Sequence, residues 1–167
     1  MKSYCIFCET NCCGAAASNA EALLGCRAIY PKQVQHKFVK GCPVDEEHEL
    51  TKGYVFLYFK GECDEPSAEL LRLLPGFIRI LRNGDGTAAL IGDDEAFANM
   101  LYKNGGIIGC TRVYEEGDRI RIKDDAFAGF ETNILKLDRR KHRMQIEIPF
   151  ANSSIKTWVE YELAQKA

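Results

Sequence analysis

Glu115 to Leu163 reads EEGDRIRIKDDAFAGFETNILKLDRRKHRMQIEIPFANSSIKTWVEYEL, a stretch in which short apolar runs are separated by polar breaks. Charged and aliphatic residues alternate from Arg119 to Lys123, the period-2 pattern of a half-buried strand. A polar break at Asp124-Asp125 follows. Because the later breaks are also short, the stretch predicts a small antiparallel β-barrel. The residues that supply the further strands are Ile134, Leu137, Ile146, Ile148, Ile155, Trp158, Val159 and Leu163.

A basic turn (residues 136–143, KLDRRKHR) separates two of these predicted strands. A basic turn on a small barrel can contact phosphate groups, and arginine can also stack on an unpaired base. On spacing alone, a solvated hairpin tip is an equally good interpretation. The candidate RNA-binding residues are Lys136, Arg139, Arg140, Lys141, His142 and Arg143.

The order of these features resembles the C-terminal KOW domain of the NusG family of transcription elongation factors. The chain departs from the family pattern at three places. In this stretch, Glu131-Thr132-Asn133 lacks the usual Gly, and Phe150-Ala151-Asn152 stands in place of Phe-Gly-Arg. In the first half of the chain, Thr51-Lys52 stands in place of Phe-Pro. The resemblance implies an SH3-like β-barrel over residues 115–167. It rests on Glu116-Gly117-Asp118, the alternating strand, Ala126-Phe127-Ala128-Gly129, Ile134 to Asp138 and the basic turn.

Residues 1–104 predict an α+β domain in which strands and helices follow the order β-α-β-β-α-β with a trailing helix. This order is typical of a ferredoxin-like split βαβ fold. Leu50 to Lys60 (LTKGYVFLYFK) is its most apolar strand. Residues 32–40 could form one arm of a hairpin, whereas the acidic stretch 41–49 is interpreted as a solvated loop. Residues 105–114, which begin with two glycines, are the predicted linker to the second domain.

Residues 1–104 also resemble the N-terminal (NGN) domain of the NusG family. The resemblance rests on Gly53-Tyr54-Val55-Phe56 and Leu74-Pro75-Gly76. In the family, the apolar face around this strand binds the clamp helices of the largest RNA polymerase subunit. The resemblance therefore implies that Leu50, Gly53, Tyr54 and Phe56 bind the polymerase from an exposed apolar patch. The alternative is that Tyr54 and Phe56 belong to the core.

Composition restricts the remaining functional classes. The chain is 46% hydrophobic and 28% charged with a net charge of −2, so it can bury a core, and any contact with nucleic acid must be local. No apolar run approaches the roughly 20 residues that span a bilayer. The first residues become polar too early for a signal peptide. We therefore expect a cytoplasmic protein without a membrane partner.

Eight cysteines raise the question of a metal or redox site. Cys5-x-x-Cys8 followed by Cys12-Cys13 could supply four zinc ligands. However, Cys5 and Cys8 lie on a predicted strand, where a spacing of three directs their side chains to opposite faces. Most of the cysteines are therefore interpreted as small buried hydrophobes. With no triad around the histidines and no phosphate-binding loop, we expect no enzyme activity, cofactor or metal.

Together, the two resemblances imply a NusG-like transcription elongation or antitermination factor. Its first domain would bind RNA polymerase, and its second would bind a structured element of the nascent RNA, or else a ribosomal protein or a termination factor. The basic turn and the Asn104 to Gly109 segment resemble specialised paralogues of the LoaP type, which act as antiterminators. The alternatives are a stand-alone KOW-type RNA-binding or ribosome-associated protein and a cysteine-based zinc-binding protein.

Overall fold

The computed structural model describes residues 1–61, 65–123 and 127–164. Cys63, the Asp124-Asp125 break and Ala126 lie outside the described residues. The chain divides into two compact units. The first comprises Met1–Pro31 and Thr51–Gly106, and the second comprises Lys32–Leu50 and Ile107–Ala167.

The first part of the chain contains both strands and helices, and the residues described from 107 onward form strands and one short 3₁₀ turn. In chain order, the helices and strands are β1 (Lys2–Cys8), α1 (Cys13–Leu24), β2 (Arg27–Ile29), β3 (Lys32–Val39), β4 (Cys42–Glu49), β5 (Tyr54–Phe59), α2 (Ala68–Leu71), β6 (Phe77–Ile80), α3 (Gly92–Lys103), β7 (Ile107–Ile108), β8 (Thr111–Glu116), β9 (Arg119–Ile122), β10 (Ile134–Asp138), β11 (Arg143–Phe150) and β12 (Ser153–Leu163).

The first unit is built on an antiparallel sheet with the strand order β2-β5-β1-β6. Its elements follow one another as β1-α1-β2-β5-α2-β6-α3, which is the order predicted for residues 1–104 once the inserted strands β3 and β4 are set aside. Helix α1 is rich in alanine and buries Ala16 and Ala20, whose small side chains let a helix approach a sheet closely. Gly25 ends α1 in the left-handed conformation (φ 62°) that glycine adopts without steric cost.

Both faces of strand β5 are covered, because successive side chains of a strand point to opposite faces. Val55 and Leu57 belong to the hydrophobic cluster that includes the buried residues of α1. On the opposite face, the Phe56 ring packs edge-on against Phe97 of α3, with 5.6 Å between the ring centroids. Tyr58 lies on that same face and donates a 2.6 Å hydrogen bond to the carbonyl of Ala98.

The second unit contains a hairpin (β3 and β4) that the chain inserts between β2 and β5. The predicted arm over residues 32–40 is present, but the interpretation of 41–49 as a loop is wrong, because Cys42–Glu49 forms strand β4. Register explains the difference: β3 places Lys37 where its ammonium lies 2.7 Å from the Glu46 carboxylate. Cross-strand charge pairing of this kind stabilises acidic residues within a sheet.

The second unit also contains a five-stranded sheet with the order β10-β11-β12-β8-β9, whereas β7 pairs in parallel with β3. Strand β11 alternates regularly, and its Met144, Ile146, Ile148 and Phe150 are buried. The predicted linker 105–114 needs correction, because it contains β7 and the first part of β8. Thr111 and Val113 pair with Tyr161 and Leu163 of β12, so this segment is part of the second unit rather than a tether.

In the described parts of the chain, no helix has both the length and the apolar character needed to cross a membrane.

Candidate functional site

The basic turn joins β10 to β11 and has a defined backbone. Lys136, Leu137 and Asp138 pair with Gln145, Met144 and Arg143 of the facing strand. The Asp138 carboxylate accepts a 3.0 Å hydrogen bond from the backbone N–H of Lys141, a local bond typical of turns. His142 completes the turn with a left-handed backbone (φ 48°). These contacts define the backbone conformation from which the side chains of the turn project.

Three of the six candidate RNA-binding residues are held by contacts within the unit. Arg139 forms an ion pair with Glu115 of β8. The Arg143 guanidinium lies 4.8 Å from the centre of the Trp158 ring and 3.7 Å from the Asp138 carboxylate. The His142 ring stacks on Tyr161 at 5.5 Å with 10° between the planes. Burial raises the pKa of Tyr161, whereas the nearby Arg139 acts in the opposite direction.

The other three candidates, Lys136, Arg140 and Lys141, are exposed. Among the described residues, none of these three side chains makes an ion pair or hydrogen bond. Their charges are therefore available to a ligand, whereas Arg139, His142 and Arg143 orient the turn. Sequence reasoning named all six residues as candidates but could not separate the exposed from the contacted ones, because the contacts come from β8 and β12.

The candidate polymerase-binding residues are placed differently from the prediction. Phe56 is fully buried against α3, and Leu50 is only 7% exposed and belongs to the second unit. The expectation that these two side chains line an exposed patch is therefore wrong. Tyr54 is half-buried, and its ring lies 5.1 Å from the ring of Phe7.

Gly53 occupies a position that a larger residue cannot take. Its φ is +90°, and an added Cβ atom would lie 2.5 Å from a ring carbon of Phe7. Its carbonyl also accepts a 2.7 Å hydrogen bond from the backbone N–H of Cys8. The glycine thus leaves room for the Phe7 ring beside Tyr54, which is a structural role.

Sequence reasoning missed two residues of the same surface, Phe7 and Arg79. Phe7 pairs in register with Tyr54 on one side and with Arg79 on the other. The Arg79 guanidinium lies 5.6 Å from the centre of the Phe7 ring. We call Phe7, Tyr54 and Arg79 the aromatic patch. No sequence pattern in β1 indicated it, because the strand is buried at nearly every position and only the structure shows Phe7 to be half-buried.

The N-terminal cysteines form no ligand set. Cys5, Cys8 and Cys13 are buried, and the Cys13 thiol donates a 3.4 Å hydrogen bond to the carbonyl of Glu9. Burial raises the pKa of Cys8 to about 12 and raises the pKa of Cys5 well above its ordinary value. Because the thiolate is the reactive form, thiols that stay protonated near neutral pH are poor nucleophiles. Within the described residues, no three His, Cys, Asp or Glu side chains are placed to hold a metal ion.

The chain is similar to a curated protein and to a solved structure, both named NusG. The chain is 23% identical over 122 residues to "Transcription termination/antitermination protein NusG" of Buchnera aphidicola subsp. Acyrthosiphon pisum. That match covers 72% of this chain and 66% of the Buchnera protein, slightly less than two thirds of its length. A solved structure described as "Domain interaction in Thermotoga maritima NusG" matches with a TM-score of 0.58 and 15% identity. It covers 95% of this chain and 93% of the other.

The chain therefore has the fold of NusG. The sequence match agrees with the predicted resemblance to NusG, and the structural match shows the fold alone. No family model matches the sequence. The narrower resemblance to LoaP-type paralogues is not addressed by either match and stays a prediction.

Proposed function

We propose that this protein is a NusG-like transcription elongation or antitermination factor with two binding surfaces. The first unit would bind RNA polymerase, and the second would bind nascent RNA through the basic turn. The main support is the NusG fold, which extends over 95% of the chain. The proposal needs no enzyme activity, cofactor or metal, because both activities are binding reactions.

The arrangement of strands supports a finer description of the two units. The order β2-β5-β1-β6, with α1 and α2 in the connections, is consistent with a ferredoxin-like NGN domain. The five-stranded sheet that begins at β8 is consistent with an SH3-like KOW domain. The proposed KOW domain therefore begins near residue 111 rather than at 115.

The aromatic patch is the proposed polymerase contact, with the clamp helices of the largest subunit as the target. Aromatic and arginine side chains bury large areas and carry much of the binding energy at protein interfaces. Tyr54 and Phe7 are half-buried, and Arg79 is exposed. Gly53 and Phe56 take part indirectly, since the first seats Phe7 and the second packs the strand against α3.

The exposed bases Lys136, Arg140 and Lys141 are the proposed RNA contacts. Phosphate contacts dominate the affinity of such surfaces and make it depend on salt concentration. A structured RNA with unpaired bases suits the turn, because arginine can pair with phosphate or stack on a base. The LoaP-like antiterminator subtype rests on this turn together with the Asn104 to Gly109 segment.

Binding at both surfaces would act on transcription through two physical effects. A factor that prefers the elongating polymerase stabilises that state by the difference between its two affinities. Tethering the second unit to a polymerase-bound first unit raises its effective concentration near the emerging transcript. Together these effects would disfavour paused or terminating states at transcripts that carry the matching RNA.

A pull-down of the full chain with purified core RNA polymerase tests this proposal. We expect the parent protein to be retained and Tyr54→Ala to lose at least tenfold in affinity. Ile91→Ala is the matched control, since Ile91 is a 59% exposed apolar residue of the same unit. Ile91 follows Leu90, and the Leu90 N–H donates a hydrogen bond to the carbonyl of Ser3. Ser3 lies near the start of β1, whereas Phe7 lies near its end. Failure of the parent to bind the polymerase would contradict the proposal.

A further inference from the structure

The five-stranded sheet of the second unit carries the single tryptophan of the chain, Trp158, on its outer face. Successive side chains of a strand point to opposite faces. Met144 and Val159 are paired and buried, so the neighbouring pair of Gln145 and Trp158 points away from the core. Trp158 is half-buried, and neither of the contacts proposed above uses its ring.

Register places three side chains in one row across three strands of this face. Gln145 of β11 pairs with Lys136 of β10 on one side and with Trp158 of β12 on the other. Paired side chains of neighbouring strands lie about 5 Å apart. We call Lys136, Gln145 and Trp158 the outer row. It begins at one of the exposed bases that are proposed to contact RNA, so it continues that surface across the sheet.

The polar groups of the outer row are unpaired and accessible. Within the described part of the chain, neither the Gln145 amide nor the Trp158 indole N–H has a hydrogen-bond partner. Neither group is among the buried polar atoms that lack a partner, so both reach the surface. The amide offers both donors and an acceptor, and the indole offers one donor. The row can therefore form new hydrogen bonds without breaking existing ones.

Arg143 holds the Trp158 ring from the adjoining row. Its guanidinium lies 4.8 Å from the ring centre, and its side chain is still 39% exposed. The carboxylates of Asp138 and Glu160, which flank Arg143 in register, each accept a backbone N–H. A guanidinium packed on an indole ring forms a flat surface on which a base can stack.

The outer row matches the three parts of a nucleotide. A lysine pairs with the phosphate, an aromatic ring stacks on the base, and a glutamine amide pairs with the base edge, for which adenine is its usual partner. A protein partner is a poorer match, because a protein interface has an apolar core. The neighbours of Trp158 on the outer face are polar: Gln145, Lys156, Glu160 and Arg143.

We propose that Trp158 and Gln145 bind one unpaired base of the RNA while Lys136 contacts its phosphate. The base stacks on the Arg143–Trp158 pair, and its edge faces the Gln145 amide. This inference rests on the proposed RNA contact of the basic turn and adds the residues that distinguish unpaired from paired RNA. Phosphate contacts alone cannot make that distinction, whereas the bases of a duplex are stacked on one another and closed to the ring.

Fluorescence of the full chain tests the contact directly, because Trp158 is the single tryptophan. The probes are an RNA hairpin with a loop of unpaired adenines and a blunt RNA duplex with the same number of phosphates. We expect the hairpin to quench the fluorescence and to bind about tenfold more tightly than the duplex, which should not quench it. Absence of quenching by the hairpin, or equal quenching by both RNAs, would overturn the inference.

Variants of the outer row supply a second readout. Trp158→Leu and Gln145→Ala should each reduce the preference for the hairpin about tenfold, whereas Trp158→Phe should retain most of it. The slope of log affinity against log salt should stay unchanged, since none of these variants removes a charge. Ser154→Ala is the matched control, because Ser154 lies on the same face of β12 but pairs with Pro149, away from the row. Where a variant is destabilised, the fluorescence of the parent decides the question.

The outcomes separate this inference from the proposed function. Salt-dependent binding of both RNAs with equal affinity and no quenching would overturn base binding alone and leave the RNA contact of the turn in place. Failure of either RNA to bind would overturn both the turn contact and this inference. The polymerase contact of the first unit is tested independently by the pull-down.

Discussion

The rings of Tyr54 and Phe7 lie 5.1 Å apart on paired strands, tilted by 51° to each other. Neither ring is fully buried, although the residues on either side of Phe7 and of Tyr54 along their strands are buried. Aromatic pairs in such geometries contribute about 0.5–1.5 kcal/mol beyond their buried area. This pair therefore serves the stability of the sheet and leaves an aromatic edge for a partner.

The first prediction follows from that double role. Tyr54→Ala should lower the free energy of unfolding by about 1–2 kcal/mol, since the half-buried ring loses its Phe7 contact. The protein should still fold, because Val55 and Phe56 stay buried on either face. Chemical denaturation beside the polymerase pull-down separates the two effects. Complete unfolding of the variant would show that Tyr54 is a core residue.

The second prediction concerns Gly53. Gly53→Ala should destabilise the first unit by about 1–3 kcal/mol, because φ is +90° and the new methyl group would collide with the Phe7 ring. Gly84→Ala is the matched control, since nothing lies within 4 Å of its added Cβ. Equal unfolding midpoints for the two variants would contradict a steric role for the glycine.

The third prediction concerns the anchor of the inserted hairpin. Gln33→Ala should lower the free energy of unfolding by about 1–3 kcal/mol, because it leaves the Trp158 carbonyl and the Thr157 hydroxyl without their partner. Gln35→Ala, two residues along the same strand and less buried, should change it by under about 0.5 kcal/mol. Denaturation of both variants measures the difference. Similar losses would mean that Gln33 does not hold the arm.

Local periodicity accounts for the parts of the fold that the sequence predicted well. The alternation from Arg119 to Lys123 corresponds to β9 (Arg119–Ile122), and the apolar run from Leu50 contains β5. Gly25 ends α1 as expected from its freedom to adopt a left-handed backbone. Each of these features is specified by residues that are neighbours in the chain.

The features that sequence reasoning missed depend on residues distant in the chain. Strand β4 is rich in acidic residues and forms because β3 supplies matching partners. Phe56 is buried because α3, about 40 residues later, places Phe97 against it. The predicted polymerase patch failed at this residue for that reason. Alternation along β5 identified its two faces but could not show that both of them are covered.

The fourth prediction is a dependence of stability on pH. Burial raises the pKa of Cys8 from 9.0 to about 12, so the folded protein keeps a proton that the unfolded chain loses. The stability from this thiol is complete below pH 9 and is lost as the pH rises toward 12. Between pH 9 and pH 12, the free energy of unfolding of Cys8→Ala should therefore fall less than that of the parent. Cys42→Ala, at an exposed position, should follow the parent curve.

The fifth prediction tests the basic turn with variants matched in charge. Arg140→Glu with Lys141→Glu should weaken binding of a structured RNA at least tenfold, because both side chains are exposed. Lys123→Glu with Lys156→Glu makes the same charge change at exposed positions of the same unit outside the turn, and should weaken binding much less. Long-range electrostatics alone would affect both pairs equally, so the difference measures contact at the turn.

Salt dependence gives this last prediction a second readout. Each single-strand phosphate contact contributes about 0.7 to the slope of log affinity against log salt, so losing two contacts should reduce the slope by about 1.4. Arg139→Gln is expected to act differently, since Arg139 is paired with Glu115 and orients the turn instead of contacting RNA. It should weaken binding with little change in slope. Equal slopes for the parent and the Arg140/Lys141 variant would mean that these bases only keep the turn soluble, and RNA binding by the turn would have to be abandoned.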